Sequence, residues 1–98
     1  MAVVMIMHWP EITVEQYEEA RRRVDWEGDQ PAGGLCHIAR FEDDGLHVVD
    51  VWESEADFER FGMERLMPVV KGELGVQSEP NVRFVPLHAL FIPEAARV

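Results

Sequence analysis

The stretch that decides the fold is "LHVVDVWESEADFERF", residues 46–61, which begins with the pattern of a strand and ends with that of a helix. In a strand, residues two apart point to the same side, so Asp50 and Trp52 share one face of an otherwise apolar strand. Ser54 then has the residue type and the position of a helix N-cap. The junction therefore predicts a strand followed directly by a helix, with a carboxylate in the strand that needs a partner.

The rest of the chain adds further strand patterns and one more helix around this junction. Strands are predicted over residues 2–8, 35–41, 46–53 and 82–90. Thr13 and Gln16 have the spacing of a capping box, which predicts a helix starting at Val14. Pro68 must end or restart the second helix, and Pro86 indicates that the last strand is an edge or carries a bulge. The order strand, helix, strand, strand, helix, strand is typical of the ferredoxin-like split βαβ fold, an α+β fold with two helices on one face of a four-stranded antiparallel sheet.

The length and the net charge of the chain exclude several classes of protein. The 98 residues are enough for one domain, which we expect over residues 1–90 with a C-terminal tail over 91–98. The net charge of −10 opposes binding to nucleic acid or to anionic membranes, because both need clustered Lys and Arg. The longest apolar run, residues 2–7, is too short to cross a bilayer and lacks the features of a signal peptide. We therefore expect a cytoplasmic protein with no nucleic-acid or membrane partner.

Both faces of the predicted strands are apolar. The first strand offers Val3 and Met5 on one side and Val4 and Ile6 on the other. Two helices cover only one face of a sheet, so the second apolar face stays open. An open apolar face of this size predicts a homodimer packed sheet against sheet.

The connection "EDDG", residues 42–45, closes a hairpin whose simple register sets the neighbours of Asp50. The predicted cross-strand pairs are Phe41 with Leu46, Ala39 with Val48, His37 with Asp50 and Leu35 with Trp52. A carboxylate opposite His37 fixes the tautomer of the imidazole and raises its basicity, so that it can take a proton from a bound phenol or enol. A structural hydrogen bond under a helix explains the same pair. The other face, with Ile38 and Val49, is the predicted dimer surface.

Other side chains are candidates for contact with a small ligand between sheet and helices. His8 and His88 lie near strand ends, where an exposed position is the alternative. Arg65 lies near the apolar stripe of the second helix, where it either meets an anionic ligand group or reaches solvent. The large apolar side chains expected in the core or the cavity wall are Tyr17, Phe58, Phe61 and Met63. His8, His37, His88 and Asp50 have no short ligand spacing, so we expect no metal site.

The order of elements, the junction "VVDVWESEADFERF" and the following "ERLMPVV" resemble the antibiotic biosynthesis monooxygenase domain of the dimeric α+β barrel superfamily. The likeness covers about residues 1–90. It implies a homodimer whose two sheets form a barrel, with one ligand cavity per subunit between sheet and helices. It also implies that Trp52 faces that cavity. Relatives in this family include cofactor-free oxygenases of polycyclic aromatic polyketides, small-quinol oxygenases and haem-degrading enzymes.

We therefore expect a cofactor-independent oxygenase of a small phenolic, quinol or polyketide-like aromatic substrate. His37 is the expected base, Asp50 its orienting partner and Trp52 a wall of the cavity. The haem-degrading relatives carry an axial histidine on the second helix, and residues 57–72 contain none, so we expect no cofactor. Two alternatives stay open: a polyketide cyclase or isomerase, which also begins by removing an acidic proton, and a non-catalytic dimer that binds a small ligand.

Overall fold

Four strands form one antiparallel sheet in the computed structural model, which describes residues 1–94. They are β1 (Val3–Trp9), β2 (Gly34–Glu42), β3 (Gly45–Trp52) and β4 (Asn81–Pro86). The order across the sheet is β2-β3-β1-β4, so the apolar strands β1 and β3 lie at the centre. The predicted ferredoxin-like α+β fold is confirmed. The edge position of β4 agrees with its proline, which cannot donate a ladder hydrogen bond.

Helix α1 (Val14–Val24) begins where the capping box predicts. The Gln16 backbone N–H donates to Thr13 Oγ1 at 3.1 Å, and the Thr13 N–H donates to Gln16 Oε1 at 3.0 Å. Both interactions satisfy N–H groups that have no partner within the helix. The helix buries Ala20 and Val24 towards the sheet, and its outer face carries ion pairs between arginine and glutamate.

Helix α2 (Glu55–Phe61) starts at the predicted cap, where Ser54 Oγ accepts the Asp57 N–H at 3.1 Å. The chain then continues through two π-helical segments, Gly62–Leu66 and Pro68–Glu73. Pro68 lies inside a helical run that is unbroken from residue 55 to residue 73, and Met67 before it also has the αR conformation. The prediction that this proline ends or restarts the helix is therefore wrong, because the π-helical turns on either side of it let the helical backbone continue without its N–H.

The core lies between the sheet and the helical segments. Buried side chains from both sides meet there, among them Met5, Met7, Trp9, Val48, Trp52, Phe58, Val69 and Val70. The opposite sheet face carries no helix among residues 1–94, and Ile38 on that face is 58% exposed. One apolar face is thus buried within the chain, and the other is open.

The hairpin register holds from Glu42 back to Cys36, but the predicted pairing of Leu35 with Trp52 is wrong. Gly34 pairs with Trp52 and Cys36 with Val51, so Leu35 is the extra residue of a β-bulge. The chain enters β2 from a turn in which Gly33 has a φ of 86°, and the bulge accommodates that entry. Leu35 consequently has no cross-strand partner in β3 and is 44% exposed.

The last strand ends four residues earlier than predicted. The Leu87 N–H still donates to the Ala2 carbonyl at 3.0 Å, and beyond it the chain leaves the sheet. Of the predicted tail over 91–98, residues 91–94 are exposed and the remainder lies outside the described residues. No helix in the described part of the chain is long and apolar enough to cross a membrane.

Candidate active site

A cavity of about 320 Å³ lies between the sheet and the helical segments. Its surface is mostly apolar, and its size falls at the lower end of the roughly 300–1,000 Å³ that is usual for small-molecule sites. The structure brings three of the predicted binding residues to its wall, Trp52, Phe58 and Phe61. The Trp52 ring packs against both phenylalanines with centroid separations of 5.5 Å. The result is an aromatic wall suited to a flat, apolar ligand.

His37 and Asp50 are cross-strand partners, as the simple register predicts. His37 Nδ1 lies 2.6 Å from Asp50 Oδ1, and the Trp52 Nε1–H donates to Asp50 Oδ2 at 3.0 Å. Asp50 is only 6% exposed, so both of its carboxylate oxygens find partners away from water. Because an ionised carboxylate only accepts, His37 Nδ1 carries the proton and Nε2 is free to accept one.

Tyr17, on helix α1, adds a third hydrogen bond to the series formed by His37, Asp50 and Trp52. Its hydroxyl donates to His37 Nε2 at 2.7 Å, and the two rings are stacked with an interplanar angle of 8°. Burial is the main cause that raises the pKa of Tyr17 to about 12. The phenol is therefore protonated at neutral pH and acts as a hydrogen-bond donor. Trp26 packs its ring against the His37 ring in an edge arrangement at 5.4 Å.

The Tyr17–His37 pair lies between the cavity and a second depression that opens to solvent. Both side chains border both spaces, whereas Asp50 borders only the inner cavity. The His37 side chain is 35% exposed. A proton taken up from the cavity side thus has a short path to water through the imidazole.

Two predicted site residues lie elsewhere. His8 points to the open face of the sheet, because alternate residues of β1 point to opposite sides and Met7 and Trp9 occupy the cavity side. It stacks on its cross-strand partner His47 instead. His88 follows the end of β4, is exposed and borders neither space. Both predictions as pocket residues are wrong.

Arg65 also has a different position from the one predicted. Its Nη2 donates to the carbonyls of Val24 at 2.9 Å and Asp29 at 2.8 Å, and its guanidinium lies over the Phe61 ring at 5.4 Å. These contacts join the end of helix α1 to the π-helical segment Gly62–Leu66, and Arg65 does not border the cavity. Met63, expected in the core, is 77% exposed because its π-helical segment turns it outwards.

Trp26 is a site residue that the sequence analysis did not name, and Tyr17 was expected only as a core or cavity-wall side chain, without a hydrogen bond to His37. The helical spacing of Val14, Tyr17 and Val24 puts Tyr17 on the stripe that faces the sheet, and a half-buried tyrosine hydroxyl needs a partner. That signal, combined with a histidine on the facing strand, was enough to suggest the contact. Trp26 follows the helix in an irregular loop, where no periodic pattern predicts its direction.

No protein-family model and no curated protein sequence matches the chain, whereas several solved structures share its fold. SnoaB, a cofactor-independent oxygenase from Streptomyces nogalater, has a TM-score of 0.58 at 17% identity, over 95% of this chain and 98% of that chain. NE2512, a protein of unknown function from Nitrosomonas europaea, has a TM-score of 0.66 at 15% identity, over 94% and 93% of the two chains. A monooxygenase from the gene ActVA-Orf6 of Streptomyces coelicolor, solved with the ligand Nanaomycin D, has a TM-score of 0.53 at 18% identity, over 95% and 92%. These likenesses confirm the predicted resemblance at the level of the fold.

Proposed function

We propose that the protein is a cofactor-independent oxygenase that acts on a small phenolic, quinol or polyketide-like aromatic substrate in the cavity. The observation that carries this proposal is the hydrogen-bonded series Tyr17–His37–Asp50–Trp52 at the wall of an otherwise apolar, aromatic cavity. Such a series can remove one acidic proton from a flat substrate and hold the charge that results. The fold that this chain shares with SnoaB, a cofactor-independent oxygenase, supports the same proposal.

His37 is the proposed base. A substrate proton passes to the Tyr17 oxygen while the Tyr17 proton passes to His37 Nε2, so the phenol relays the proton without becoming charged. The imidazolium that forms lies 2.6 Å from the Asp50 carboxylate, which stabilises it. Trp52 holds the second carboxylate oxygen and gives the substrate ring a surface to stack on.

The substrate anion then reacts with molecular oxygen. For a methylene group between two aromatic rings, the carbanion is oxidised by O₂ to a hydroperoxide on that carbon. Loss of water from the hydroperoxide leaves a ketone. One oxygen atom of O₂ enters the product, the other leaves as water, and the electrons come from the two C–H bonds. His37 gives its first proton to the peroxide anion, then takes the second C–H proton as the O–O bond breaks and passes it to the departing hydroxide, so the protein is regenerated.

The test is oxygen uptake by the purified protein with a panel of anthrones and quinols, in buffer treated to remove metal ions. We expect uptake in the wild type and a decrease in kcat of about 10²–10⁴-fold in His37→Ala, the range for loss of a general base. Tyr17→Phe should also lower kcat, since phenylalanine cannot relay the proton. His88→Ala, altered at an exposed position away from the cavity, is the matched control and should keep the wild-type rate.

Two outcomes would contradict an oxygenase. Conversion of substrate at the same rate without oxygen would indicate a cyclase or isomerase, because such enzymes need only the proton transfer. Binding of the aromatic compounds, seen as quenching of tryptophan fluorescence, without turnover of any of them would indicate a binding protein.

We also propose that two copies pair through the open face of the sheet. The partly or fully exposed apolar side chains Val4, Ile6, Ile38 and Val49 project from that face. An isologous contact would cover the same patch on both copies and remove it from water. The cavity lies on the opposite side of the sheet, so each copy would retain its own site.

A further inference from the structure

A group of three potential metal ligands lies at one end of the open sheet face, away from the cavity. His8 on β1 and His47 on β3 are direct cross-strand partners. Their rings are stacked with centroids 4.5 Å apart and planes 10° from parallel. Directly opposed residues of an antiparallel pair keep their side chains together, so the two strands fix the separation of the imidazoles.

Asp44, in the turn between β2 and β3, supplies the third group. Its Oδ1 accepts from His47 Nε2 at 2.7 Å, its backbone carbonyl accepts from His8 Nε2 at 2.8 Å, and its Oδ2 lies 3.5 Å from the same His8 atom. Both Nε2 atoms are therefore turned towards one residue. The ligand atoms of all three side chains lie within 4.8 Å of one another.

The turn that carries Asp44 is held against the end of β1. Gly45, the next residue, has a φ of 117°, and a Cβ on it would lie 2.6 Å from the Trp9 carbonyl oxygen. Only glycine fits this close approach, and it brings the turn down over the two histidines. The carboxylate thus comes from a restrained turn and not from a loose loop.

Two imidazole nitrogens and one carboxylate oxygen are a ligand set for divalent ions of the first transition series. A tetrahedral Zn²⁺ with bonds of about 2.0–2.1 Å sets its ligand atoms about 3.3 Å apart. The separations of 2.7 and 3.5 Å between the Asp44 oxygens and the two Nε2 atoms lie on either side of that value. Small rotations of these side chains are therefore sufficient to bring their ligand atoms to the spacing that a tetrahedral ion requires. The side chains of His8, His47 and Asp44 are 30%, 18% and 61% exposed, so an ion has access and water can complete its shell.

We propose that His8, His47 and Asp44 bind a divalent transition-metal ion such as Zn²⁺, which links β1 to the β2–β3 turn. The imidazoles bind through Nε2 as neutral rings, with the ring proton moved to Nδ1. Mg²⁺ is a poor occupant, because it prefers six oxygen ligands in octahedral geometry. Residue spacing does not indicate this set of ligands, since they come from two strands and a turn. The proposal does not depend on the proposed oxygenase activity.

The test is a calorimetric titration of Zn²⁺ into chelator-treated, dialysed wild-type protein. We expect one Zn²⁺ per chain, no binding of Mg²⁺ at the same concentrations, and a higher melting temperature with Zn²⁺ bound. His8→Ala and Asp44→Asn should each weaken Zn²⁺ binding by more than about tenfold, since each removes one of three ligands. His88→Ala, which removes an exposed histidine outside the group, should bind Zn²⁺ as the wild type does. Co²⁺ should give the visible absorption of a low-symmetry, nitrogen-liganded ion in the wild type and in His88→Ala, but not in His8→Ala or Asp44→Asn.

Circular dichroism of each variant checks that it is folded. If either His8→Ala or Asp44→Asn fails to fold, the other variant still tests the proposal. The proposal is wrong if the wild type binds no Zn²⁺, or if His8→Ala and Asp44→Asn bind it as tightly as the wild type. It is also wrong if His37→Ala abolishes Zn²⁺ binding while His8→Ala preserves it, because the ion would then lie in the cavity.

Discussion

Asp50 shows how one buried polar residue organises a site. A carboxylate at 6% exposure is costly unless hydrogen bonds replace its water, and here His37 and Trp52 supply one to each oxygen. The same two bonds fix the imidazole tautomer and the indole orientation at the cavity wall. Asp50, the one charged residue in the apolar part of its strand, is thus the residue to which the other polar groups of the site are bound.

Tyr17 provides a prediction at the scale of a single residue, because it is the only tyrosine in the chain. Burial raises its pKa from the ordinary value of 10.0 to about 12. As the pH rises, the unfolded chain loses the phenol proton first, so this group's contribution to the free energy of unfolding is complete below pH 10.0 and lost towards about 12. The ultraviolet absorbance of ionised tyrosine in the folded protein should follow the higher pKa.

The reference for this titration is the same protein unfolded in guanidinium chloride, where the midpoint should return to the ordinary value. Circular dichroism at each pH shows whether the chain is still folded. A folded protein whose phenol titrates like that of the unfolded chain would contradict the buried, hydrogen-bonded position of Tyr17.

The β2–β3 hairpin is the element on which both candidate sites depend, and its turn gives the next prediction. Gly45→Ala should lower the free energy of unfolding by roughly 1–3 kcal/mol, the usual cost of a strained backbone position. The reason is the φ of 117° together with the 2.6 Å approach of a Cβ to the Trp9 carbonyl. Urea unfolding followed by tryptophan fluorescence measures the change.

Gly72→Ala is the matched control. Gly72 lies in the helical segment Pro68–Glu73, and a Cβ there meets nothing within 4 Å. Alanine in a helix is favoured over glycine by about 0.5–1 kcal/mol, so this variant should be as stable as the wild type or more so. Equal destabilisation by both substitutions would contradict the close contact between the turn and β1.

The open sheet face sets the prediction for the whole molecule. Ile38→Glu should convert the proposed dimer into a monomer, because a carboxylate within an apolar contact loses its water without gaining a partner. Ile38 is 58% exposed in the single chain, so the substitution leaves the core intact. Sedimentation equilibrium of the wild type and the variant measures the change in mass.

Met63→Glu is the corresponding control, since Met63 is 77% exposed on the helical side. Its oligomeric state should equal that of the wild type. A wild-type protein that sediments as a monomer, or a dimer that Ile38→Glu leaves intact, would show that this face does not join two copies.

The sequence by itself determined the order of elements, the two N-caps and the pairing of His37 with Asp50. These depend on short-range signals: the two-residue period of strands, the side chains that bind free helix N–H groups, and a turn that fixes the register of its own hairpin. The register prediction failed at Leu35, where one inserted residue forms a bulge that no local pattern marks.

Only the tertiary structure decided which side chains meet between elements that are not joined in one hairpin. The hydroxyl of Tyr17 reaches His37 because helix α1 crosses the sheet at that point, and His8 joins His47 and Asp44 because the turn folds over the end of β1. Arg65 is drawn away from the cavity by two backbone carbonyls of another segment. Such contacts depend on the angle and the position at which elements pack, and these are set by the fit of the whole core and not by any local run of residues.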